Sequence, residues 1–166
     1  MRLPVALLLA AVAACPALAQ EDEAPRWTSQ IDKAEAWLSY GTPGSEETTL
    51  SLSCARKSGQ IRILFPVEHR MAASLRGSTW VDDVGRPAPW PVSVNAASGP
   101  QQTTIRGDAN ADEMAGGSTI SLELSERAPV VQAFARTGEL RLVAMGETVA
   151  APPAGREAGR FVRACR

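Results

Sequence analysis

The chain has 166 residues, 45% of them hydrophobic, with 17 basic against 18 acidic side chains, one histidine and a formal net charge of −1. That length suits one ordinary domain around one core and is short for two. A charge balance this close to neutral excludes a general attraction to nucleic acid, so no nucleic-acid partner is expected.

Residues 1–19 read as an export signal. Arg2 supplies the positive start, Leu3 to Ala14 an apolar stretch interrupted only by Pro4, and Ala17-Leu18-Ala19 the small-x-small pattern of a signal-peptidase site. Val12-Ala13-Ala14-Cys15 also resembles a lipobox, which would place a lipid anchor at Cys15; the brief apolar core before Cys15 and Pro16 directly after it favour free secretion past Ala19 instead. The apolar run is too short to span a bilayer, and no later segment approaches the roughly 20 apolar residues a membrane helix needs, so no transmembrane segment is expected. The expected location is periplasmic or secreted. Removing nineteen residues leaves 147 and two cysteines, Cys54 and Cys165. An oxidising compartment favours joining them, closing a loop of about 110 residues whose restriction in the unfolded chain could stabilise the fold by roughly 4.7 kcal/mol. No C-x-x-C spacing is present to make the pair redox-active.

Residues 20–26 are acidic and aperiodic and read as a flexible mature terminus, with a single β-rich domain over 27–166. Ala36 to Tyr40 is a candidate first strand, ended by Gly41-Thr42-Pro43-Gly44. Leu50, Leu52 and Cys54 alternate with serines, and Ile61, Ile63 and Phe65 repeat the pattern after Arg56-Lys57-Ser58-Gly59, which predicts a β-hairpin with Cys54 at its turn end, facing the core. Residues 67–76 fit strand or short helix, and Pro87, Pro89 and Pro91 argue against regular pairing through the middle of the chain. Val92 to Val94 and Thr103 to Ile105 are short strand candidates, and residues 107–117 read as an exposed loop. Ile120, Leu122 and Leu124 mark a further strand. Pro129, Val130, Val131, Phe134 and Ala135 then change the period to that of a helix ending at Gly138. Leu140, Leu142 and Ala144 restore a strand, Pro152-Pro153 breaks the pattern, and Gly155 to Cys165 suits a terminal helix with Phe161 and Cys165 one turn apart. The expected fold is mainly β: a single-domain antiparallel sandwich or barrel-like structure with one or two short helices.

Few residues point to chemistry. His69, the one histidine, lies between Glu68 and Arg70, with no H-E-x-x-H, paired Cys-x-x-Cys or G-x-S-x-G pattern in the chain, so it reads as a surface residue and no catalytic residue is assigned. Asp108, Asn110 and Asp112 have the spacing of alternate calcium ligands, but Glu113 stands where a sharp-turn glycine belongs and Thr119 where a bidentate Glu belongs, so no metal or other cofactor is expected. The 80–90 segment is the most unusual. Trp80 and Trp90 flank Asp82-Asp83-Val84-Gly85, and Arg86 opens a proline-rich extended path. A rigid loop carrying indoles presents a recognition surface with little entropy left to lose, which makes Trp80, Arg86 and Trp90 candidate binding residues; the competing reading has both indoles covering the edge of the core. Arg62 and Arg141 read as solvated charges on the polar faces of their strands.

A strand ending in Cys54, a β run to Trp80, a helical segment at Val130 to Gly138 before a strand, and Phe161 to Cys165 at the end resemble small exported proteobacterial Cys–Cys β proteins. Among those with a function, the pattern is similar to periplasmic accessory proteins associated with type VI secretion. The resemblance implies a non-enzymatic, soluble periplasmic binding or accessory protein whose partner is another envelope protein or a cell-wall component. The alternatives are an envelope hydrolase with a carboxylate-based site, or a periplasmic lysozyme-type inhibitor; the inhibitors carry a serine-glycine loop followed by an aromatic, whereas Ser98-Gly99 here leads to Pro100-Gln101-Gln102.

Overall fold

The computed structural model describes residues 24–45 and 48–166. The export signal, Cys15 and most of the expected flexible terminus lie outside the described residues.

Alternation of buried and exposed residues in the inner strands builds one antiparallel sheet, which two edge strands extend. Its strands are β1 (Arg26–Ile31), β2 (Glu35–Gly41), β3 (Thr48–Ala55), β4 (Gln60–Val67), β7 (Trp90–Ser98), β8 (Gln101–Ala111), β9 (Ser118–Ser125), β10 (Arg141–Ala144) and β11 (Glu147–Ala150), in the spatial order β1-β2-β3-β4-β9-β8-β7-β10-β11. A separate two-stranded ribbon pairs β5 (Ser74–Arg76) with β6 (Thr79–Val81). The large sheet curls into a half-barrel, as expected for a barrel-like β domain. Register places like with like: Leu38 lies opposite Leu52, Leu52 opposite Ile63 and Ile63 opposite Leu122, so one apolar row crosses four strands on the concave face.

Two helices fill that concavity. α1 (Pro129–Thr137) contributes Val130, Val131 and Phe134, and α2 (Arg156–Cys165) contributes Ala158, Phe161, Val162 and Cys165, all buried against the sheet. Pro129 at the first turn costs no hydrogen bond, because that N–H would be an orphan anyway. Gly138 ends α1 with φ of 75° and donates its N–H to the Phe134 carbonyl; a Cβ there would lie 2.9 Å from the Ala154 nitrogen, so conformation and close packing both require glycine.

Cys54 and Cys165 are disulfide-bonded, tying the last turn of α2 to the β3–β4 hairpin. The hairpin also caps the helix. Lys57 N–H donates to the Ala164 carbonyl (3.4 Å) and Gly59 N–H to that of Cys165 (2.9 Å), satisfying acceptors that a helix end leaves open.

Several local expectations differ from what forms. The segment 107–117 is not one loop, because β8 continues to Ala111 and the turn is confined to 112–117. Gly107 sits inside that strand, where a Cβ would meet the Ser121 carbonyl oxygen at 3.0 Å. Pro91 lies within β7, tolerated because β10 pairs only Val94–Ala97 and leaves the start of β7 with a neighbour on one side. The edge strands β1 and β11 were not foreshadowed by alternation, and residues 68–73 are irregular rather than strand or helix.

Candidate binding surfaces

The 80–90 segment connects β6 to β7 and is held together by its own hydrogen bonds. Trp90 is 2% exposed, with its indole N–H donated to the Arg86 carbonyl (3.0 Å). Asp82, also buried, accepts from the backbone N–H of Arg86 (2.7 Å) and of Val84 (3.2 Å) and from the Arg86 guanidinium (2.7 Å). Burial by itself would raise the Asp82 pKa; the donors from Arg86 and Val84 outweigh it and hold the carboxyl below the usual aspartate value of 3.8. Trp80 is half-buried, donates its N–H to Glu113 Oε1 (2.7 Å) and lies beneath the Arg70 guanidinium, 5.9 Å from the ring centroid. Trp90 therefore sits in the core and offers no face to a partner, while the Arg86 side chain, 71% exposed, and one edge of Trp80 remain outside.

The other residues singled out by sequence have structural surroundings. Glu147 on β11 accepts the backbone N–H groups of Glu68 (2.8 Å) and His69 (2.7 Å), and the His69 carbonyl accepts the Ser118 hydroxyl (2.8 Å); the imidazole itself has no hydrogen-bond partner among the described residues. Asp108 and Asn110 belong to β8 rather than to a loop. The Asp112 carboxylate accepts from the backbone N–H groups of Ala115 (2.9 Å) and Met114 (3.1 Å) and from the Thr119 hydroxyl (3.1 Å), which hold its pKa down against the opposing effect of burial. It organises the turn.

The convex face of the sheet carries a feature that sequence reasoning missed. Trp37 on β2 is 42% exposed, opposite Gln30 of β1 and Ser53 of β3. Its N–H donates to Glu35 Oε2 (3.1 Å), which fixes the ring against the strand. On one side the indole borders a shallow depression of about 320 Å³ with Thr28, Gln30 and Ser39. On the other it borders one of about 380 Å³ with Ser53, Gln60, Arg62 and Glu123, where Arg62 and Glu123 stand 3.8 Å apart. Further along the same face, Arg141, Gln102, Thr104 and Asn95 line a depression of about 560 Å³. Arg62 and Arg141 are thus parts of one polar surface. The signal for Trp37 was present in the sequence: in Ala36-Trp37-Leu38 the indole occupies the outward phase of an alternating strand.

No protein-family model matches the chain, and neither does any curated protein or solved structure. The arrangement at Trp37 offers a stacking plane flanked by hydroxyl, amide and charged groups.

Proposed function

We propose that the protein is a non-enzymatic binding protein of the cell envelope whose convex sheet face takes a saccharide of the cell wall. One observation carries this reading: an exposed indole lies between two depressions lined by hydrogen-bonding side chains. The C–H face of a sugar ring stacks on an indole, and its hydroxyls demand the alternating donors and acceptors that Ser, Thr and Gln supply. Trp37 is held by two flanking strands and by Glu35, so little side-chain freedom is left to lose on binding. The export signal read from residues 1–19 and the Cys54–Cys165 disulfide support an envelope location.

The test is co-sedimentation of the protein with purified cell-wall sacculi, wild type against Trp37→Ala. An exposed strand residue changes stability by about 0.5 kcal/mol or less, so the variant stays folded. Affinity should fall at least tenfold, about 1.4 kcal/mol. Absence of wild-type binding, or equal binding of the variant, refutes the proposal.

A further inference from the structure

The outer surface of the helical layer carries a concentration of cations that the near-neutral chain does not foreshadow. Arg156, Arg160 and Arg163, spaced i, i+4, i+7, form the exposed face of α2 opposite its buried apolar face. Arg136, in the last turn of α1, joins them across the helix–helix contact. The four guanidinium groups and Glu157 line an open groove of about 690 Å³. Gly159 lets the helices approach, since a Cβ there would lie 2.9 Å from the Ala135 carbonyl oxygen.

The groove's one carboxylate is already engaged. Glu157 accepts the Ser29 hydroxyl (2.8 Å) and the Arg160 guanidinium (3.1 Å), and these donors hold its pKa down. Arg156 adds an electrostatic attraction to Glu157 without a hydrogen bond, and Arg136 and Arg163 have no hydrogen bond or ion pair among the described residues. Four cations against one anion leave three net positive charges around one concavity.

Helix physics favours only part of this placement. Arg136 and Arg163 stand in last turns, where the dipole favours a cation, whereas Arg156 stands in the first turn of α2, where it disfavours one, and the pairs Arg156–Arg160 and Arg160–Arg163 set like charges one turn apart. Glu157 offsets part of that repulsion, as the ion-pair partner of Arg160 and a charged neighbour of Arg156, and an anionic ligand would offset the remainder.

We propose that this groove binds a diphosphate group. Planar guanidinium forks match phosphate oxygens bidentately, and four arginines from two helices around one groove supply more such forks than a single carboxylate ligand would use. The inference does not rest on the saccharide reading, because α2 packs on the concave side of the sheet and Trp37 lies on the convex side; the two sites approach each other at the edge strand β1, where Ser29 borders the Trp37 depression and donates to Glu157.

Calorimetric titration of the disulfide-bonded protein with sodium pyrophosphate at low ionic strength tests it. Saturable binding is expected, weakened by added salt, weakened at least tenfold in Arg156→Gln/Arg163→Gln and unchanged in Arg62→Gln/Arg141→Gln. Without ligand the groove variant should melt within a few degrees of wild type, since both side chains are exposed; pyrophosphate should raise the melting temperature of wild type alone. No saturable binding, or equal losses in both double variants, overturns the proposal. So does sedimentation with phosphatidylglycerol vesicles that pyrophosphate fails to displace, which would mark a membrane-facing charge rather than a discrete site.

Discussion

Trp90→Ala separates a loop built for recognition from one built into the core. Trp90 is 2% exposed, among the largest fully buried side chains, and donates its indole N–H to the Arg86 carbonyl. Truncation removes the ring and leaves a cavity, at about 3–5 kcal/mol for a buried aromatic. It also strips the Arg86 carbonyl of its donor, at about 1 kcal/mol or more if water does not replace it. Against a total stability of roughly 5–15 kcal/mol, the loss is a large share. At about 2–4 °C per kcal/mol for a domain of this size, the melting temperature should fall by roughly 10–20 °C. Urea unfolding followed by circular dichroism measures the difference directly, and Trp90→Phe, which keeps a ring but no donor, should fall between wild type and alanine. A loss below about 1 kcal/mol for Trp90→Ala would refute the core assignment, because so small a cost is not compatible with a filled, hydrogen-bonded site.

Two further outcomes follow from the structure. A non-reduced proteolytic digest should keep the peptides containing Cys54 and Cys165 joined, and Cys54→Ser/Cys165→Ser should lose about 2–5 kcal/mol in denaturant unfolding; two free thiols in protein purified without reductant would contradict the bridge. Because the Asp82 carboxyl is depressed below 3.8 in the fold, its contribution is complete well above that value and fades as pH falls below it and through the depressed one, so the stability gap between wild type and Asp82→Asn should be widest near neutral pH and narrow progressively as the solution is acidified below 3.8. A gap independent of pH would show that the charge on Asp82 does not matter.

Elements whose pattern is generated by burial were readable from sequence. The β3–β4 hairpin, β9, α1 and α2 all bury one face, and the alternation of Leu50, Leu52 and Cys54 or the spacing of Phe161 and Cys165 follows from that burial. The edge strands were not readable, since β1 is exposed apart from half-buried Trp27 and β11 buries no residue fully. The extension of β8 through Gly107 was hidden because a glycine chosen for strand approach looks, in one dimension, like a turn signal. Trp90 belonged to the core because a proline-rich approach can deliver an indole inward as well as outward, and only Arg86 and Asp82 in three dimensions decide which. The arginines of α2 carry no signal of their own in one dimension, since their meaning depends on Arg136 arriving from another helix.

The way the half-barrel is filled limits where any ligand can go. Closed β-barrels that carry small molecules keep an empty interior, whereas here Phe134 of α1 and Phe161 of α2 are fully buried beside Phe65 and Trp90 in one continuous core. The disulfide and the hairpin caps hold α2 in that position, so opening the interior would mean withdrawing a helix that is covalently tied to β3. Recognition is thereby directed to the outer surfaces, among them a polar sheet face that carries the Trp37 indole and a helical face with three net positive charges in its groove. The sheet itself stands between them as a rigid spacer. Ligands of two different chemistries can then be held at once, so Trp37→Ala should leave pyrophosphate binding intact and Arg156→Gln/Arg163→Gln should leave saccharide binding intact.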